Sequence, residues 1–198
     1  MKKFVVLFFL IVGALSNAQN KNLNIDKDFI DYNELILNKD FERAVEYVPQ
    51  DFFKLIPKDQ MIIFMGQALN NPDLEIIADA PQDIKYGEAV LIQSKYYSII
   101  TYFYNLKMKF NDLELTGNQE EDEQSISLTK IALEQSFGEG NVIFNSETNF
   151  FEIHAIKKAV GICDDGNLDW KFLVIEQNQK PFLDKIFSPE VVNMLYKK

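Results

Sequence analysis

The stretch YYSIITYFYNLKMKF, residues 96–110, carries the longest strand signal in the chain. In its second half the apolar residues Tyr104, Leu106 and Met108 alternate with asparagine or lysine. This two-residue period predicts a strand with one face on the core and the other in solvent. The first half, residues 97–103, is apolar on both sides, so we expect it to be covered on both faces.

The segments around this strand predict an α+β fold, because helices come first and strands follow. Before residue 70, apolar residues recur at helical spacing, and one of these helices is expected to start at Asp59 and to bury Phe64. The other expected elements are strands at 74–78, 89–92, 141–144, 149–162 and 168–175, a helix from Ser125 or Ser127 to Phe137, and a helical tail ending in a helix capped by Ser188. The acidic stretch 118–124 is interpreted as a solvated loop between two elements.

Composition limits the class of protein. The chain has 198 residues, of which 47% are apolar, and this is enough to bury the core of one domain. A single cysteine excludes an internal disulfide framework and a cysteine-based zinc cluster. The net charge of −10 opposes binding to the phosphates of nucleic acids.

The first 18 residues have the three parts of a secretory signal peptide. Lys2 and Lys3 precede an apolar run at 4–12, and small residues follow it. We expect cleavage after Ala18, an exported domain over 19–198 with a net charge of −12, and no stable membrane anchor. A buried N-terminal strand or an uncleaved anchor are the alternatives. A lipoprotein anchor is not expected, since Cys163 is the only cysteine.

Two short pieces resemble the NTF2-like superfamily. One is DDGNLDWKF at 164–172, a polar glycine turn leading into an aromatic strand, and the other runs from Asp40-Phe41 to Tyr47-Val48-Pro49. The resemblance implies a cone-shaped α+β fold in which N-terminal helices pack on a curved antiparallel sheet. An extra internal helix near 125–137 and a short C-terminal helical tail depart from the compact members. The chain is similar to uncharacterised secreted members from Gram-negative bacteria, so the resemblance implies a scaffold and no particular activity.

Family enzymes of the isomerase and dehydratase kind use an acid or histidine base with tyrosine or histidine donors. Here His154 is the only imidazole, and Glu152 lies on the same face of its strand. One reading makes this pair a base with Tyr102 or Tyr104 as donor. The other has His154 facing solvent, which Lys158 on the same face favours.

Other chemistries have weaker support. Cys163 lacks a second histidine for nucleophilic catalysis. Residues 164–169 lack the alternating pattern of a calcium loop, and a hairpin turn accounts for them. The glycines at 138–140 lack the spacing of a phosphate-binding loop. We therefore expect no catalytic residue, no metal site and no cofactor.

The candidate ligand-binding residues are Tyr102, Tyr104, His154 and Trp170, although the aromatic ones could equally be core. We expect an exported, non-catalytic binding or interaction module that uses the concave face of a curved sheet. Its ligand would be an unidentified small molecule or protein. The alternatives are a cone-pocket enzyme of isomerase, dehydratase or hydrolase type, and a homodimer formed through an open sheet face. A filled cone with an exposed apolar sheet face would favour assembly.

Overall fold

The computed structural model describes residues 23–113 and 115–197, so the expected signal peptide lies outside the described residues. Within these ranges the chain forms six α-helices and a curved, unclosed sheet of seven antiparallel strands, which confirms the α+β class. None of the described helices combines the length and apolar character needed to cross a membrane. The helices are α1 (Leu23–Leu37), α2 (Phe41–Ala44), α3 (Lys58–Leu69), α4 (Gln119–Phe137), α5 (Lys180–Leu183) and α6 (Pro189–Leu195). The strands are β1 (Leu74–Ala78), β2 (Gln82–Tyr86), β3 (Val90–Ile92), β4 (Lys95–Phe110), β5 (Val142–Asn145), β6 (Phe150–Cys163) and β7 (Lys171–Ile175).

Two long strands, β4 and β6, form the centre of the sheet. They pair from Tyr96↔Cys163 to Met108↔Phe151. Strands β1, β2 and β3 pair one after another along the other edge of β4. Along the other edge of β6, β5 pairs near its beginning and β7 near its end.

One face of the sheet, here called the inner face, carries the even-numbered residues of β4 and the odd-numbered residues of β6. Helix α1 packs on one end of this face. The ring centroid of Phe29 lies 5.3 Å from that of Tyr102 and 5.2 Å from that of Phe172. Helix α4 covers the other end through Leu133, which joins a cluster with Ile153. The alternation seen in residues 104–110 is thus confirmed.

The opposite face, here called the outer face, is covered at one end only. Helices α5 and α6 pack their buried Leu183 and Leu195 against Tyr97 and Val160. The prediction that both faces of the first half of β4 are covered is therefore confirmed for residues 97–102. It does not hold for Phe103, which is 42% exposed. The expected cap of the last helix is also confirmed, since the Ser188 hydroxyl accepts a hydrogen bond from the Val191 amide at 3.4 Å.

The prediction of a loop at 118–124 was wrong, because this stretch forms the first turns of α4. The Asn118 side chain accepts a hydrogen bond from the Glu120 amide and caps the helix. Three acidic residues in the first turn then interact favourably with the positive end of the helix dipole. The helix therefore starts seven residues earlier than a cap at Ser125, and nine earlier than a cap at Ser127, would place it.

Three smaller expectations also need correction. Helix α3 starts at Lys58, directly after Pro57. Phe64 is 54% exposed, because the apolar residues of α3 lie on all sides of the helix and define no single buried face. Strand β2 was missed because its sequence is mostly polar. Strand β7 starts at Lys171 and not at 168, since Asp169 has a positive φ of 58° that interrupts extended backbone.

Candidate functional site

The aromatic candidates lie on the inner side of the sheet. Tyr102 is 5% exposed and Trp170 is 1% exposed, and both belong to the cluster under α1. Burial raises the pKa of Tyr102 and of Tyr104, and it raises the pKa of Tyr32 in α1 to about 12. These tyrosines therefore stay neutral at physiological pH and fill the space between helix and sheet.

His154 lies on the other face. It is exposed, and its Nδ1 lies 2.9 Å from the Asn105 Oδ1. The Glu152 carboxylate accepts a hydrogen bond from the Asn145 amide at 3.1 Å and lies 3.8 Å from the Lys107 ammonium. The sheet thus separates Glu152 and His154 from the tyrosine hydroxyls, and the four candidate ligand-binding residues do not come together.

The turn after β6 is closed by its own side chains. The Asp165 Oδ1 accepts hydrogen bonds from the amides of Asn167 and Leu168, at 2.8 and 2.9 Å, and these bonds lower the pKa of Asp165. The Cys163 thiol lies 2.7 Å from the Leu168 carbonyl, and burial raises its pKa. This carboxylate and this thiol are therefore both used in holding the turn.

A gap in strand pairing occurs midway along β6. Its pairing with β5 ends at Ile153, and its pairing with β7 begins at Lys158. Among the described strands, β4 is therefore the only neighbour of residues 154–157, here called the open segment. One bond from the His154 amide to the Asn141 carbonyl, at 2.9 Å, marks the end of the β5 side.

The main-chain groups of Ile156 point into this gap. In an antiparallel strand the N–H and C=O of alternate residues point to the same edge. The His154 amide bonds towards β5, and the carbonyls of Asn105 and Ile99 in β4 bond away from β6. All three bonds show that the N–H and C=O groups of the even-numbered residues of β6 point away from β4, towards the edge where β5 and β7 pair. No described residue bonds to the N–H or C=O of Ile156, which are thus open within the described chain, as in the edge strand of a sheet.

A groove of about 670 Å³ lies over the open segment. Phe137 at the end of α4, Lys157 and Glu176 form its inner-face wall, while Thr101 and Leu195 belong to its outer-face wall. The Lys157 ammonium lies 2.7 Å from the Glu176 carboxylate and 5.0 Å from the centre of the Phe137 ring. This wall is therefore held together by its own ion pair and a cation–π contact.

Exposed apolar side chains also occur on the outer face, beside the groove and further along the sheet. Ile156, 64% exposed, pairs directly with Phe103, 42% exposed. Ile77 of β1 and Ile143 of β5 are 46% and 56% exposed on the same face. The exposed pair Ile156 and Phe103 beside an open strand edge is typical of an interaction surface.

Ile156, Phe103 and Lys157 were not among the candidate ligand-binding residues expected from the sequence. One signal was present: on the expected solvent face of residues 149–162, Ile156 is an apolar residue between His154 and Lys158. The gap itself could not be predicted, because it depends on where β5 ends and β7 begins in three dimensions.

Comparisons with known proteins identify no relative. No protein-family model, no curated protein and no solved structure matches the chain.

Proposed function

We propose that this protein is an exported, non-catalytic interaction module that binds a short extended segment of a protein partner along the open segment of β6. The segment would add a strand next to Ile156, in the mode known as β-augmentation. The NTF2-like relationship and the signal peptide with cleavage after Ala18 belong to the same proposal.

The open segment is the observation that carries this proposal. A partner strand would satisfy the N–H and C=O of Ile156 and would lie about 4.8 Å from β6. The gap between Ile153 and Lys158 spans roughly 17 Å, which suits an extended segment of about four residues. The groove also provides apolar contact through Ile156 and Phe137.

The space between α1 and the inner face is filled by side chains. This favours a binding site at the strand edge and outer face over a site inside that space. Phe29 and Phe172 are at most 1% exposed there, and they pack against Tyr102. A ligand between α1 and the sheet would have to displace these rings. The open segment can accept a partner with no rearrangement of the core.

The test uses a display library of random octapeptides selected against the full mature protein. We expect enriched peptides to lose at least tenfold in affinity on I156P, because proline removes the N–H and blocks the approach of a strand. The matched variant I156T keeps the N–H and the β-branched shape, so we expect less than a fivefold loss. Fluorescence polarisation with the enriched peptides measures both.

Equal binding to I156P and wild type, or a library that yields no enriched peptide, contradicts the proposal. The β4 ladder does not need the Ile156 N–H, so we expect I156P to fold, and its urea unfolding curve checks this. If I156P does not fold, a chemical-shift change confined to amides outside 154–158 on adding peptide to the wild type contradicts the proposal. A dimer by sedimentation that I156P dissociates would make a second copy the occupant, which also contradicts it.

A further inference from the structure

We propose that the bound segment is acidic and that Lys158 selects it by pairing with one of its carboxylates. This inference rests on the proposed function, because it concerns the chemistry of the segment that occupies the same groove.

The two lysines of the groove differ in their availability. The Lys157 side chain is 12% exposed and is engaged by Glu176 and Phe137. The Lys158 ammonium contacts the Leu195 carbonyl at 3.5 Å, and no carboxylate among the described residues lies within 4 Å of it. The Lys158 ammonium can therefore form an ion pair with a ligand at the outer-face wall.

The row of residues that crosses the sheet at Lys158 is positive. Thr101 of β4 pairs with Lys158 on one side and with Lys85 of β2 on the other. Neither lysine forms an ion pair with a described carboxylate. Thr101 lies between them and lines the groove. Its hydroxyl could therefore donate a hydrogen bond to a carboxylate that also pairs with a lysine ammonium.

The paired strand residues of the outer face have a charge opposite to that of the chain. They include six lysines and two glutamates, whereas the chain has a net charge of −10: Lys85, Lys95, Lys107, Lys109, Lys158, Lys171, Glu75 and Glu152. The screening length is about 8 Å at physiological ionic strength, so these nearby lysines outweigh distant acids. An acidic segment is thus attracted to this face, and a basic segment is repelled.

The short distance from Ile156 also favours Lys158 over the other outer-face lysines. The residue of the bound strand opposite Ile156 lies diagonally next to Lys158, within reach of a long side chain. Lys107, in contrast, pairs with Glu152, six residues and roughly 20 Å away along β6. Lys107 is therefore a matched control, exposed on the same face but outside the groove.

The experiment selects the same octapeptide library on wild type, K158M and K107M at 150 mM NaCl. We expect wild type and K107M to enrich aspartate or glutamate at one fixed position, and K158M to lose this preference while keeping the apolar positions. The enriched peptide is then compared with its asparagine or glutamine counterpart. The neutral peptide should bind wild type about fivefold more weakly, the upper end for a partly exposed ion pair. On K158M the two peptides should bind equally.

Enriched peptides that are neutral or basic, or an acidic preference that K158M retains, would overturn this inference. Either result leaves the proposed function standing if I156P still blocks binding. Conversely, acidic peptides that bind I156P as tightly as wild type would overturn the proposed function, even if the acidic preference were real.

Discussion

Replacing Phe29 with alanine should lower the free energy of unfolding by about 3–5 kcal/mol, the usual range for a large aromatic residue in a core. Phe29 is 1% exposed and holds α1 on the inner face by contacts with Tyr86, Tyr102 and Phe172. Truncation removes these ring contacts and leaves a cavity between helix and sheet. Urea unfolding followed by tryptophan fluorescence measures the change, since Trp170 lies in the same cluster.

F103A is the control for this prediction. Phe103 is 42% exposed on the outer face, so its truncation should cost less than about 1 kcal/mol. Similar losses for the two variants would mean that the inner face is not the main core and that the space between α1 and the sheet is not filled.

Replacing Gly161 with alanine should destabilise the protein by about 1–3 kcal/mol, the range for an overpacked core. An added Cβ would lie 2.8 Å from the Ile25 Cδ1, 3.1 Å from the Trp170 Cε3 and 3.4 Å from the Phe172 Cε1. All three side chains are buried, so none can move aside without disturbing α1 or the end of the sheet. Thermal and urea unfolding measure the loss.

G66A provides the same chemical change at a site with space. Nothing lies within 4 Å of a Cβ at Gly66, which is inside α3. Alanine also loses less backbone entropy in a helix, so G66A should stabilise by about 0.4–1 kcal/mol. A G161A variant that is as stable as the wild type, or is stabilised as G66A is, would contradict the close packing at Gly161.

Much of the fold could be predicted from local pattern. The alternation at 104–110 identified β4 and its buried side, and Ser188 before Pro189 identified the start of α6. These features depend on neighbouring residues along the chain. The acidic start of α4 was missed because charged residues occur both in loops and in first helical turns, and only the cap at Asn118 distinguishes the two.

The candidate site depends on long-range features that no local pattern contains. Whether Phe103 is covered depends on how far α6 extends over the outer face. Whether Ile156 is paired depends on two strands that come from different parts of the chain. The aromatic residues that suggested a pocket, Tyr102 and Trp170, instead pack against α1.

Amide hydrogen exchange at Ile156 tests the central claim most directly, since that claim is an unpaired strand edge that a partner covers. In the free protein, the Ile156 amide should exchange at least a hundredfold faster than the amides of Ala155 and Lys157, which point towards β4. A saturating peptide from the library should slow Ile156 to the rate of its neighbours. An Ile156 amide that is already slow in the free protein, or that stays fast when peptide is bound, would contradict the account.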